Sequence, residues 1–280
     1  YNAEWYANRQ LKSASAFDMC KIESAAGKIS NVAYNGRAGP VQGRKTMDMA
    51  IDLKGHVAIV TGGTRGLGLR MASALVDAGA RVVVCGRNAP EALPEGLSFH
   101  AADIRDADQA TGLVDAVVAE HGRLDILVNN AGGSPQAAAA EASPRFFDAI
   151  LKLNLHSAMY MSQAAHGYMQ RAGAGSIVNI ASVSGIRPSP MTAAYGAAKA
   201  GLLNLTQSLA QEWGPDGIRV NAIIVGLMQT DATDATYGDA EAQAAVGRSM
   251  PLQRMGTGED VAGAVLWLCS SLAAWVSGAR

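Results

Sequence analysis

Tyr195 and Lys199 stand four residues apart in the run Thr-Ala-Ala-Tyr-Gly-Ala-Ala-Lys-Ala-Gly, 192–201. On a helix, positions i and i+4 share one face about one turn apart, so the phenol and the ammonium can aim into one cleft. A nearby cation favours the phenolate and lowers the phenol pKa. A group that gives and takes a proton near neutral pH is what general acid–base chemistry needs. Ser182 precedes the tyrosine by thirteen residues and ends the strand-like run Ser-Ile-Val-Asn-Ile-Ala-Ser, 176–182. Its hydroxyl can therefore reach the same point. A Tyr-x-x-x-Lys pair by itself is more often an exposed helix face, so its surroundings have to decide.

The second group is Thr-Gly-Gly-Thr-Arg-Gly-Leu-Gly, 61–68, which follows the apolar run 57–60 and opens a helical stretch, 69–78. Glycines between a strand and a helix allow a tight turn and let a pyrophosphate approach backbone N–H groups, with the helix dipole in favour. With 31 glycines in the chain, a chance cluster is easy, and only the strand–turn–helix setting gives the run meaning.

The elements that position these residues follow from hydrophobic patterning. Short strand-like runs at 56–60, 81–85, 97–101, 124–128, 176–181 and 219–224, all but 97–101 containing Val or Ile, alternate with helical stretches at 66–78, 107–121, 144–171 and 192–213, with a last helix at about 258–270. Such alternation predicts an α/β fold, a single doubly wound Rossmann-like domain with a mainly parallel sheet covered on both faces. Ligands of such sheets sit outside the carboxyl ends of the strands. The glycine turn, Gly86-Arg87, Asp103, Asn129, Ser182 and Gly226 each follow a strand, so all fall on that edge.

A chain of 280 residues, 49% hydrophobic, can bury one sizeable core. Its net charge of −1 offers no basic field for nucleic acid or anionic lipid. The three cysteines and five histidines lack metal or redox spacing, which fits a reduced, cytoplasmic setting. The apolar patch 262–276 is interrupted and too short to span a membrane.

Together the glycine turn, Asn129-Asn130-Ala131-Gly132, Asn154, Ser182, Tyr195 and Lys199 resemble the short-chain dehydrogenase/reductase family, from about Leu53 to Gly278. The resemblance leans to its NADP(H)-type, 3-oxoacyl reductase-like branch. It implies a hydride transfer between NADP(H) and a carbonyl or secondary alcohol, with Asn154, Ser182, Tyr195 and Lys199 as the catalytic set. Tyr195 would protonate the carbonyl oxygen, Ser182 would hold that oxygen, and Lys199 would lower the Tyr195 pKa and bind the nicotinamide ribose. Asn154 would hold a water linking Lys199 to solvent. The cofactor set it implies is Gly62, Thr64, Arg65, Gly66, Leu67, Gly68, Arg87, Asp103, Ile104, Asn129, Ala131, Gly132, Tyr195, Lys199, Gly226 and Thr230, with no metal. Asp103 would lie near the adenine, Asn129 would brace the sheet edge beside the adenosine, and Thr230 would hold the nicotinamide carboxamide. Val225 stands where the family usually has proline.

Cofactor choice rests on the end of the second strand. An acid there suits the ribose 2′-hydroxyl of NAD, and an arginine nearby suits the 2′-phosphate of NADP. The chain has Gly86 and then Arg87, with Arg65 in the glycine turn, so NADP(H) is expected over NAD(H). The substrate is expected to be bulky or apolar, such as a 3-oxoacyl, steroid-like or cyclic ketone. That expectation rests on Ile186, Arg187, Pro188 and Met191 in one loop and Leu227, Met228, Tyr237 and Met250 in another.

Residues 1–46 lack periodicity and any resemblance to the family, and are expected to be a disordered extension. The family domain would then be 47–280 and would stop before a last strand, leaving an unpaired sheet edge. The family also implies a homodimer or homotetramer built on helices 144–171 and 192–213. The alternative is a truncated, non-catalytic chain that only binds nucleotide or associates with other subunits.

Overall fold

The computed structural model of the protein describes residues 51–229 and 239–280. The elements run β1 (Val57–Thr61), α1 (Gly66–Asp77), β2 (Arg81–Gly86), β3 (Leu97–Ala101), α2 (Ala107–His121), β4 (Ile126–Asn129), α3 (Pro144–Leu151), α4 (Ser157–Ala172), β5 (Gly175–Ser182), α5 (Ala193–Trp213), β6 (Ile218–Val225), α6 (Ala240–Arg248) and α7 (Gly258–Cys269). The strands form one six-stranded sheet, every pairing parallel, in the order β3-β2-β1-β4-β5-β6. Chain direction reverses its progress across the sheet beside β1, which makes the gap between the β1 and β4 ends the place for a ligand.

Side-chain alternation divides the core into two. Val57, Ile59, Val83, Cys85, Leu127 and Ile177 face α2, α4 and α5, where Leu113, Val114, Met161 and Leu209 meet them. Ala58, Val60, Val82, Val84, Ile126 and Val178 face α1 and α7, against Met71, Leu75, Val261 and Val265. With both faces covered, the central strands β1 and β4 read as near-continuous apolar runs rather than alternating ones. Each buried Leu, Ile, Val or Met side chain contributes about 1.5–3 kcal/mol of hydrophobic stabilisation.

Three features depart from the sequence expectation. The helix expected over 144–171 is interrupted by a π-helical turn, Lys152–His156. The helix α6 falls in the stretch assigned above to substrate binding. The β6 edge is partly covered: Gly278 N donates to Val220 O (2.8 Å) and Ala222 N to Ala279 O (2.9 Å). Between them the Asn221 side chain donates to Val276 O (2.9 Å) and accepts from Ala279 N (3.0 Å), so one side chain stitches the tail to the strand. The expectation of an unpaired edge is corrected accordingly. The extension 1–46 lies outside the described residues.

Candidate active site

The glycine turn is built for close approach. Gly62 and Gly66 take φ of +63° and +53°, which glycine adopts without steric cost. A Cβ on Gly68 would run into the Gly62 carbonyl oxygen. No side chain caps α1, whose N-cap residue Arg65 is extended. Its first-turn N–H groups are therefore left to an anion. By contrast, α2 is capped by Asp106, α3 by Ser143 and α6 by Asp239.

The turn is tied to the β4 end by residues that sequence reasoning passed over. Thr61 Oγ1 accepts from Asn130 N (2.9 Å) and Ala131 N (3.0 Å). Asn130 Nδ2 donates to Thr61 O (2.9 Å) and Gly62 O (3.2 Å). These bonds hold the two strand ends in register across the crevice. Thr61 and Asn130 sit inside the quoted motifs, so adjacency was the available signal.

A cleft of about 1330 Å³ runs along this edge. It is lined by Gly62, Thr64, Arg65, Gly66, Leu67, Gly68, Arg87, Ala131, Gly132, Ser182, Tyr195, Lys199 and Gly226. Residues distant in sequence are thus brought together by the strand ends, in a space larger than the roughly 300–1,000 Å³ of an ordinary ligand pocket. A side pocket of about 140 Å³ adds Asp103, Ile104 and Arg105 to Gly62, Gly86, Arg87 and Ala131. Asn129 does not reach the cleft. It is 5% exposed, and its Nδ2 donates to Ser162 Oγ (3.1 Å) and Asn179 Oδ1 (2.9 Å) in the sheet interior. Thr230 and Tyr237 lie outside the described residues.

Lys199 is 3% exposed, and Nζ donates to Ile180 O (2.7 Å) while lying 5.6 Å from the Tyr195 ring centre. Burial pushes the ammonium down to about 8. The catalytic-face helix α5 carries both residues, four apart, as the spacing required. Ser182, the last residue of β5, enters the cleft from the sheet and accepts from Ser184 N (3.2 Å).

Asn154 sits in the π-helical turn, 1% exposed. Its Oδ1 accepts from Gly133 N (2.8 Å), and Nδ2 donates to Gly133 O (2.9 Å) and Ile150 O (3.0 Å). The extra residue of the π turn frees a main-chain carbonyl and aims this side chain at the loop after β4. A Cβ on Gly132 would come within 2.7 Å of Asn154 Oδ1 and 3.3 Å of Lys199 Nζ, so a larger residue there would crowd both groups.

At the end of β2, Gly86 has no conformational need to be glycine. A Cβ there would find only ordinary contacts, the nearest Thr64 Cγ2 at 3.8 Å. The missing side chain leaves room beside Arg87, which has no carboxylate within 4 Å among the described residues.

An uncapped helix N-terminus behind a glycine turn, a crevice at the strand-order reversal and a Tyr–Lys pair beside a serine define a dinucleotide-dependent enzyme of the doubly wound class. Residues 62–280 match the protein family described as Enoyl-(Acyl carrier protein) reductase. The chain belongs to the short-chain dehydrogenase/reductase family, whose members use nicotinamide dinucleotides, and it is an oxidoreductase acting on alcohol or carbonyl groups. It is 36% identical over 241 residues to the 3alpha-hydroxysteroid dehydrogenase of Mediterraneibacter gnavus, covering 82% of this chain and 96% of that one. It is also 36% identical to the 2-dehydro-3-deoxy-D-gluconate 5-dehydrogenase of Escherichia coli, covering 82% and 94%. Among solved structures, the aldohexose dehydrogenase of Thermoplasma acidophilum superposes with a TM-score of 0.77 at 30% identity, covering 82% and 92%.

Proposed function

We propose that the protein transfers hydride between NADP(H) and a bulky or apolar ketone or secondary alcohol. The observation that carries this reading is the single cleft shared by the glycine turn, Ser182, Tyr195 and Lys199. The residues present suit a nicotinamide dinucleotide, because the uncapped α1 terminus offers N–H groups for a pyrophosphate and the glycines at 62, 66 and 68 let it come close. When bound, the cofactor supplies the hydride.

In the direction of reduction, Tyr195 donates a proton to the substrate oxygen. Ser182 donates a hydrogen bond to the same oxygen and stabilises its developing charge. Lys199 places a cation beside the phenol, which favours the phenolate that must be regenerated each turnover. Asn154 holds the Gly132–Gly133 loop against Lys199 and thereby fixes the floor of the cleft. Arg87 would pair with the 2′-phosphate in the space left open at Gly86. Thr230, outside the described residues, would hold the nicotinamide carboxamide, as the family resemblance implies.

A bulky apolar substrate is supported by Ile186 and Met191, 58% and 47% exposed on the loop that follows Ser182. The protein works as a homodimer or homotetramer in the cytoplasm. Purified protein should oxidise NADPH, followed by its absorbance, with cyclic and steroid-like ketones faster than with short acyclic ones. Absence of turnover with every ketone and both cofactors would overturn the reading in favour of a chain that only binds nucleotide.

A further inference from the structure

Arg105 carries no role in the chemistry above, yet it holds Asp103 with every donor in range. Its Nε donates to Asp103 Oδ1 (2.8 Å), its Nη2 to Oδ2 (2.5 Å) and its main-chain N to Oδ1 (3.2 Å). This is a planar two-pronged grip of guanidinium on carboxylate, the geometry that fixes orientation as well as charge. Asp103 is anchored from its other side, its N–H donating to Gln109 Oε1 (2.9 Å) in the first turn of α2. Arg105, Asp103 and Arg87 all line the side pocket that opens from the β2 end.

The charges in that pocket matter to each other. Arg105 is the main cause that holds the Asp103 carboxyl below its usual range, and Arg87 adds to it through space. Asp103 and Arg87 are therefore close enough to interact, although no ion pair forms between them. A carboxylate at this place, left unneutralised, would do two things. It would draw the Arg87 guanidinium toward itself, and it would repel a dianionic phosphate arriving beside Gly86.

We propose that Arg105 is a positioning residue for cofactor choice: by neutralising Asp103 it leaves Arg87 to the 2′-phosphate and lets a phosphorylated ribose sit beside a carboxylate. This rests on the NADP(H) reading given above. The two arginines then divide the work. Arg87 contacts the phosphate, and Arg105 acts through Asp103 without touching the ligand's phosphate. The carboxylate then stays in the pocket as an acceptor, with its repulsion of the neighbouring dianion reduced.

The test is calorimetric binding of two fragments, 2′,5′-ADP and 5′-AMP, to wild type, Arg105→Gln, Asp103→Asn and the double variant, with thermal unfolding of each. Arg105→Gln should weaken 2′,5′-ADP about tenfold and 5′-AMP less than about threefold, the size of one partly screened charge. Adding Asp103→Asn should restore 2′,5′-ADP to the affinity of Asp103→Asn alone, because the carboxylate that Arg105 neutralises is gone. Arg105→Lys should retain most of the preference. Equal losses for both fragments, or no recovery in the double variant, would show that Arg105 only shapes the pocket and would overturn the inference. If wild type itself binds 2′,5′-ADP no better than 5′-AMP, the NADP(H) reading falls, and this inference with it. Wild-type preference that survives Arg105→Gln sinks the inference alone.

Discussion

The Tyr195 hydroxyl is a single oxygen atom, and Tyr195→Phe removes it while keeping the ring. Loss of a general acid costs about 10²–10⁴ in rate. Turnover should fall at least about a hundredfold while NADPH affinity, measured by fluorescence, stays near wild type. A variant retaining a tenth of the rate would remove Tyr195 from proton transfer. Lys199 makes a separate claim about pH. Its native pKa, lowered to about 8, lies below the unfolded value near 10.5. Between those values the unfolded chain binds the proton that the native one has released, so stability rises with pH there. Below about 8 the buried charge opposes folding at constant strength. Lys199→Met lacks this charge, so its melting temperature should exceed or approach wild type most at pH 7. The gap should close toward wild type's favour as pH climbs past 8, and parallel curves from 7 to 10 would refute the buried-charge account. At this scale the sequence was most legible. The i, i+4 spacing puts Tyr195 and Lys199 on one helix face, while Ser182 and the glycine turn could be picked out only through the strand and helix pattern around them. Arg105 was silent, since its meaning comes from a carboxylate two residues away and an arginine on another strand end.

Between residues and domain, the π-helical turn is the element that decides site geometry. Hydrophobic periodicity runs through 144–171 without a break, so pattern reasoning had no means of finding the extra residue. What marks the position is a buried asparagine inside a helix, a residue that competes for backbone partners. Asn154→Ala removes three hydrogen bonds and leaves Gly133 N and O to other partners. The protein should lose about 2–4 kcal/mol of stability, read by urea unfolding. The activity of the folded fraction should fall as well, because the Gly132–Gly133 loop no longer faces Lys199. A shift under about half a kcal/mol would mean the turn holds itself without the side chain. The strand limits were read within one or two residues, since most of the strands are short apolar runs bounded by glycine, asparagine or charge. The helix α6 was missed because Ala240–Arg248 is short and rich in alanine, with few large apolar residues to mark a face.

Seen as a whole, the domain is held by two core faces and one stitched edge. Asn221 is fully buried and supplies both a donor and an acceptor to the tail, doing the work of a peptide group. Asn221→Ala should detach 276–279 and cost about 1–3 kcal/mol, since Val276 O and Ala279 N lose their partners. Hydrogen exchange at Ala222 and Gly278 should accelerate together. Unchanged exchange at both amides would show that the main-chain bonds suffice. The exposed β6 edge would then favour association, so light scattering on the same variant should report larger species. Sequence reading foresaw the layer architecture and the edge along which the glycine turn, Ser182 and Lys199 share a cleft, because alternation of strand and helix permits few topologies. It did not foresee the covered edge, because a handful of tail hydrogen bonds carries no periodic signal.

Cys85 lies in the core face under α2, α4 and α5, and Cys269 in the opposite face beside α1 and α7. Burial pushes their thiols up to about 11 and about 12. Only the thiolate reacts with alkylating reagents. Each sulfur is therefore a dormant reporter that becomes chemically visible when its own layer opens. Timed alkylation, read peptide by peptide, would separate the breathing of one side of the sheet from that of the other, without any label introduced into the molecule.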